Sequence, residues 1–360
     1  MKKIFIGIVL TAFTVVTIVY GKVPEEIIDE VNIVAAVGFD RAEGQKISGT
    51  AVIPVFHSDK SIDNASFTDE SVLAKEIINV LQKQSADPLV TGGLRVAIYE
   101  DELAKNGILR YVDALQRDAS VGAKVYLGII EGKTREVLEK DLGNRGTGEY
   151  LSVILEHNIT KQDVPKSDLH TFLYSHYMEG LDPYLPTLKL IGDKMEITGL
   201  ALFDNGTMVS KIEEENLFFF KAMVENYGEG SYTLRLKDTD EYASVKRIKT
   251  KRKIKVEEVH GSPKVNITIK FEGILSEFSG KKATPEITKQ IITQLESIIK
   301  EKSEEMLKHF QEKNIDPVGI GYMARHSVRG LNFEKWQLDY PNIEIAVHAK
   351  VKLIETGITQ

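Results

Sequence analysis

The chain has 360 residues and a net charge of −7, with 42% apolar and 28% charged residues. That is the balance of an ordinary globular protein with room for two or three domains, and its net acidity gives no reason to expect nucleic acid as a partner. There is no cysteine, which excludes disulfides, thiolate zinc sites, a cysteine nucleophile and a thioether-linked lipid.

At the N-terminus Lys2 and Lys3 precede an unbroken apolar or weakly polar run from Ile4 to Tyr20. A basic flank followed by an apolar stretch is the pattern of an export signal. The run is at the lower limit of length for a spanning helix. The positive-inside bias puts Lys2 and Lys3 in the cytoplasm and the rest of the chain outside. Val19-Tyr20-Gly21 is a poor small-x-small cleavage site, so an uncleaved anchor is expected.

Residues 31–56 predict a β-hairpin, with Val31 to Phe39 and Ile47 to Phe56 as its arms. Thr68-Asp69-Glu70 predicts the start of a helix whose buried stripe is Leu73, Ile77, Val80 and Leu81. A strand is expected at Leu94–Tyr99, a helix at Ile108–Gln116 and a strand at Lys124–Ile130. Helices follow at Thr134–Leu142, Glu149–His157 and Ser167–Met178. Prolines at 183 and 186 are expected to break the chain. Met195–Phe203 and Met208–Lys211 predict a hairpin around Asp204-Asn205-Gly206, and an apolar helix is expected from Glu213 to Glu225. Two long strands, about 241–259 and 264–278, flank Gly261-Ser262-Pro263. Thr284 as N-cap and Pro285 at the first helical position open a long amphipathic helix running to about Asn314. Glu296 and Glu304 are placed to pair with Lys300 and Lys308 on its wet side. A last strand is expected over Ile343–Ile354, alternating apolar and polar.

Hairpins mixed with helices favour an α+β fold with several domains over a doubly wound parallel sheet. The expected division is a signal or membrane-anchor segment at 1–21 and an N-terminal α+β domain at 22–190. A central hairpin-helix region at 191–230 and a C-terminal α+β domain at 231–360 follow.

The chain contains no HExxH, GxSxG, Walker A or Rossmann signature. Gly319-Ile320-Gly321 follows a helix rather than a strand, so it does not read as a phosphate loop. Glu305 and His309 lie one helical turn apart and suit a surface pair better than a metal. Asp118, after Arg117, suits a turn better than a catalytic acid. No catalytic residue, cofactor or metal is assigned. The segment 246–255 is strongly basic, and its bland explanation is a solvated strand edge with cations that discourage edge pairing. A sharper one is attraction of Lys249, Lys251, Arg252, Lys253 and Lys255 to anionic lipid or an acidic partner protein. Phe218 to Phe220 form either a domain core or an apolar docking surface, and the core is favoured.

Ile28-Asp29-Glu30-Val31-Asn32-Ile33-Val34 and Val37-Gly38-Phe39-Asp40 resemble the start of the mature C-subunit family of bacterial spore germinant receptors. Further stretches resemble the family in the same order. They are Arg117-Asp118-Ala119-Ser120, Val125-Tyr126-Leu127, Glu131-Gly132-Lys133, Leu169-His170 with Phe172, Asp182-Pro183-Tyr184-Leu185-Pro186, Ile197 to Phe203, Asp316 to Gly321, Trp336, and a final strand before Gly357. The family carries a lipid-bearing cysteine after the signal, where this chain reads Gly21-Lys22-Val23-Pro24, so Lys22 stands in the lipidation position. A lysine cannot form that thioether, and the segment Ile4 to Tyr20 is expected to replace the lipid as anchor. The resemblance implies three mixed α/β domains on the outer face of the spore inner membrane. It also implies a complex with two integral membrane receptor subunits and a non-enzymatic part in nutrient-triggered germination. The rival expectations are an extracytoplasmic solute-binding protein, which needs a deep polar cleft, and an exported hydrolase, which needs a clustered nucleophile and base.

Overall fold

The computed structural model describes residues 31–237, 239–259 and 262–354. A short strand outside the large sheet precedes the three strands that open it. β1 (Asn32–Ile33) leads into β2 (Ala36–Arg41), which pairs antiparallel with β3 (Ile47–Phe56), so the expected first hairpin is present. The expected helix start at Thr68-Asp69-Glu70 is instead part of β4 (Ile62–Ser71), which pairs with β3 along its whole length. Thr68 faces Thr50 across the ladder with hydroxyls 2.9 Å apart, while Ala65 and Phe67 pack on the core. Ten residues of ladder and this half-buried face outweigh an acidic first turn. Helix forms only later, as a 3-10 turn leading into α1 (Ile77–Leu81). Ile77 and Leu81 are buried as expected, whereas Leu73 is 61% exposed.

β5 (Leu89–Val90) pairs with β1, and β6 (Val96–Glu100) and β7 (Tyr126–Ile130) add to β2 in parallel. The crossover after β6 carries α2 (Asp101–Ala104) and α3 (Leu109–Gln116). The crossover after β7 carries α4 (Thr134–Leu138), α5 (Thr147–Lys161) and α6 (Leu169–Tyr177). Pro183 lies in the irregular stretch between α6 and the next strand, as expected, but Pro186 does not break the chain: Tyr184–Ile191 is β8, parallel to β7 and antiparallel to β9 (Lys194–Asp204). The ladder from β8 to β7 begins at Thr187, one residue past Pro186, so the missing proline N–H falls outside it. β10 (Thr207–Glu213) completes the expected hairpin on a turn whose Asn205 and Gly206 have φ of 46° and 79°, the left-handed pair such a turn requires.

The sheet order is β10-β9-β8-β7-β6-β2-β3-β4. Its middle four strands are parallel and its flanks antiparallel, so the fold is a mixed α/β arrangement with a larger parallel component than hairpins alone predict. Successive residues of a strand face opposite layers. Ala97 and Tyr99 of β6 join a core with α1, α3 and α6, while Val96 and Ile98 join one with α4 and α5.

The second sheet has the order β11-β12-β13-β14, from Ser231–Arg235, Tyr242–Val259, Ser262–Phe278 and Glu344–Ile354. One face of it packs on α7 (Leu217–Val224), α8 (Pro285–Glu312), α9 (Ile320–Ser327) and α10 (Phe333–Asp339). Thr284 caps α8 by accepting from the Ile287 N–H, with Pro285 at the first turn. The 28 residues of α8 bury Ile291, Leu295, Ile299, Met306 and Phe310. Glu296 and Glu304 do not serve as the expected partners of Lys300 and Lys308. They accept the backbone N–H of Val351 at 2.9 Å and of Val347 at 3.4 Å, closing the open edge of β14. Phe218, Phe219 and Phe220 are all core, at 3% exposure or less, which removes them as a docking surface.

β9 joins the two halves. Its Ala201 and Phe203 face the core beneath α6, while Leu200 and Leu202 belong to the core of the second sheet. The division expected at 190 and 191 falls near the tip of the β8–β9 hairpin, where Ile191 pairs with Lys194.

Candidate functional site

The basic segment is the first candidate. β12 carries a bulge between Lys246 and Lys249, at which Arg247 takes φ 52°. A bulge shifts the alternation by one residue. Ala243 and Val245 are therefore buried before it, and Ile248, Thr250, Ile254 and Val256 after it. Lys249, Lys251, Lys253 and Lys255 consequently all stand on the opposite, exposed face. Arg252 does not join them. It lies on the inner side, where burial lowers its pKa from the ordinary arginine value against the pull of Tyr184, Glu225 and Asp316. β11 pairs only with Tyr242–Lys246 of β12, so at 249–255 the strand has a pairing partner on the β13 side alone, and these lysines stand on an edge stretch as the bland explanation expects. Lys22 lies outside the described residues, as does the whole segment 1–21. Among the described residues no helix is long and apolar enough to cross a membrane.

The second candidate is the junction of the two halves, built by residues far apart in sequence. The Asp316 N–H donates to the Asp182 carboxylate at 2.6 Å, and the Asp182 N–H donates to the Asp316 carbonyl at 3.0 Å. The Asp316 carboxylate in turn accepts the N–H of Gly319 at 2.8 Å and of Gly321 at 2.6 Å, at the start of α9. The Tyr322 N–H reaches the Gly180 carbonyl at 2.9 Å. Gly180 has φ +79°, and a Cβ there would sit 2.5 Å from the Tyr322 nitrogen, so only glycine lets the two backbones approach this closely. Glu179 and Arg325 form an ion pair beside it.

Next to these contacts lies a cavity of about 390 Å³, lined among others by His176, Asp182, Asp204, Asp316, Trp336 and Tyr340. Burial pushes the Asp182 carboxyl up to about 7, with Asp316 and Asp204 adding repulsion against the stabilising Asp316 N–H. Burial likewise pushes Asp316 up to about 6, against the backbone N–H groups of 318–321 that favour its anion. Burial lowers the pKa of His176. The acids bind backbone and take up protons near neutrality. Neither acid is bonded to a hydroxyl or imidazole as a catalytic base would be.

The remaining sequence candidates have local tasks. Asp118 accepts from the Thr91 hydroxyl at 2.6 Å and from the N–H and hydroxyl of Ser120, while Arg117 pairs with Asp113. His309 meets the Ser210 hydroxyl at 2.7 Å, and Glu305 lies 3.8 Å from Lys302. Among the described residues no three His, Cys, Asp or Glu side chains gather to hold a metal. Asp40, in the motif 37–40, caps α4: both its oxygens accept from Thr134 and Arg135. Lys133, in the motif 131–133, pairs with the buried Glu100 at 2.5 Å.

Sequence reasoning missed the buried Lys221. Its ammonium donates to the carbonyls of Ile159 at 2.8 Å and Gln162 at 2.7 Å, at the C-terminal end of α5, where a cation complements the helix dipole. Nothing in the apolar run 217–224 marks that role. The link between Asp182 and Asp316 was also missed, although each acid opens an Asp-Pro step within a family-like motif.

Two family models match in succession. The spore germination protein N-terminal domain covers residues 24–190, and the spore germination B3/GerAC-like C-terminal model covers residues 198–357. The spore germination protein GerQC of Bacillus cereus is 28% identical over 364 residues, covering the whole of both chains. The putative spore germination protein YfkR of Bacillus subtilis (strain 168) is 22% identical over 315 residues, 82% of this chain and 79% of that protein. The crystal structure of the GerBC protein superposes with a TM-score of 0.58 at 17% identity, covering 88% of this chain and 96% of that one. That likeness shows the fold. The chain belongs to the GerAC-like family of spore germination receptor C subunits.

Proposed function

We propose that this chain is a non-enzymatic, extracytoplasmic subunit of a nutrient germinant receptor, acting with two integral membrane subunits on the spore inner membrane. The observation that carries the reading is the successive match to both family models, over residues 24–190 and 198–357. The site geometry supports it, because the motif acids Asp40 and Asp316 use both carboxylate oxygens on backbone N–H groups and Asp182 accepts the N–H of Asp316. Such acids hold segments in place and are not poised for chemistry. The reading includes membrane attachment through the uncleaved segment Ile4 to Tyr20, with Lys22 in place of the lipid-bearing cysteine. A spanning helix holds a protein more firmly than a single acyl chain.

Affinity purification of the tagged chain from spore membranes tests the assembly. The expected result is co-purification of two polytopic membrane proteins; recovery of the chain without them contradicts it. Mass spectrometry of the mature N-terminus tests the anchor, and a chain beginning near Lys22 would contradict it. The junction cavity gives the solute-binding reading its one specific support, since its volume falls within the range of small-molecule sites. Calorimetry against amino acids, sugars and nucleosides separates the two: saturable heat for one class would favour direct binding.

A further inference from the structure

The exposed face of the second sheet is more basic than β12 alone indicates. Strand pairing sets Lys251 opposite Lys270 and Lys270 opposite Lys350, a row of three lysines across three strands. The adjacent rows are Lys249, Glu272 and Lys352 on one side, and Lys253, Thr268 and His348 on the other. All of these lysines are exposed. Among the described residues, Lys249, Lys251, Lys253, Lys270, Lys350 and Lys352 are held in no ion pair, although Lys255 pairs with Glu257 and Lys264 with Glu344. Like charges set directly opposite one another on a sheet destabilise it. The row therefore costs stability, and its middle member lies on an inner strand where edge protection is not needed.

We propose that this lysine face rests against the anionic headgroups of a phospholipid bilayer. Three features select a lipid surface over a protein partner. The rows carry no aromatic side chain and no arginine, the residues that anchor protein interfaces, whereas lysine is depleted there. Neighbouring positions lie about 5 Å apart across the strands and about 7 Å apart along them, so the six lysines present a spread of point charges suited to a diffuse negative layer. Each lysine near such a layer contributes about 1 kcal/mol, so a handful supplies useful attraction with no pocket. The proposal rests on the membrane attachment put forward above, and it adds a second contact that turns the C-terminal half toward the bilayer.

Amine-reactive footprinting of the 360-residue chain, reconstituted in vesicles, tests it. One set of vesicles is phosphatidylcholine only; the other includes phosphatidylglycerol. With the anionic lipid, labelling of Lys251, Lys253, Lys270 and Lys350 is expected to fall about threefold or more. It should recover in about 1 M salt, where the screening length is about 3 Å. The triple variant Lys251→Gln, Lys270→Gln, Lys350→Gln relieves repulsion and should keep the fold, and in it Lys253 labelling should no longer depend on lipid composition. Equal labelling in both vesicle types overturns the proposal. Protection seen in native spore membranes but absent with phosphatidylglycerol also overturns it, and assigns the face to a protein. Neither result bears on co-purification of the membrane subunits, so the receptor reading stands or falls separately.

Discussion

Lys270 shows how much a single side chain depends on its neighbours across the sheet. It stands between Lys251 and Lys350, so Lys270→Glu replaces two repulsions with two attractions. The variant is expected to be more stable by about 0.5 kcal/mol, read as a raised melting temperature; a lowered one would contradict the register. Gly180→Ala acts in the opposite direction. Its Cβ would lie 2.5 Å from the Tyr322 nitrogen and 2.6 Å from the Gly321 carbonyl carbon, at a backbone φ of +79°. The expected loss is about 2 kcal/mol or more, in the range of forced backbone strain, and unchanged denaturant unfolding would rule the close approach out. The basic run over 246–255 is legible in the sequence, because it lies along one segment. Lys270 and Lys350 are not, because only pairing brings them beside Lys251. Arg252 reads like its lysine neighbours but occupies an inward position, so the parity of the strand decides its environment and composition does not.

Among the elements, β14 illustrates how an edge is closed. It ends the second sheet, and Glu296 and Glu304 of α8 accept the N–H groups of Val351 and Val347. An open edge invites pairing with another chain. The double variant Glu296→Ala, Glu304→Ala is therefore expected to self-associate more, each lost bond costing about 1 kcal/mol. Light scattering checks this, and a scattering mass unchanged from the parent chain would contradict it. Strong local signals were readable, among them the Thr284-Pro285 start of α8 and the Asn205-Gly206 turn. β4 and β8 were not, since each is held by its pairing partners against its own composition. The acidic residues of 68–70 favour a helix start and Pro186 disfavours a strand, yet long ladders with β3 and β9 prevail.

At the scale of the molecule the two halves share β9 and meet at the acids Asp182 and Asp316. Asp182 holds its proton up to about pH 7 when folded, against about 3.9 in an unfolded chain. Below the lower value both states are protonated and the difference contributes nothing. As pH rises between the two values the unfolded chain ionises first, so the fold loses stability. The chain is expected to be more stable near pH 5 than near pH 8, by on the order of 2 kcal/mol. Asp182→Asn should reduce that slope, and denaturation curves showing the parent slope unchanged in the variant would contradict the assignment. Deleting the gene in a sporulating host tests most directly whether this chain serves a nutrient germinant receptor. The expected result is spores that fail to respond to one class of nutrient while germinating normally with non-nutrient triggers. Spores that respond normally to every nutrient, in a host stripped of its other germinant receptors, would contradict it.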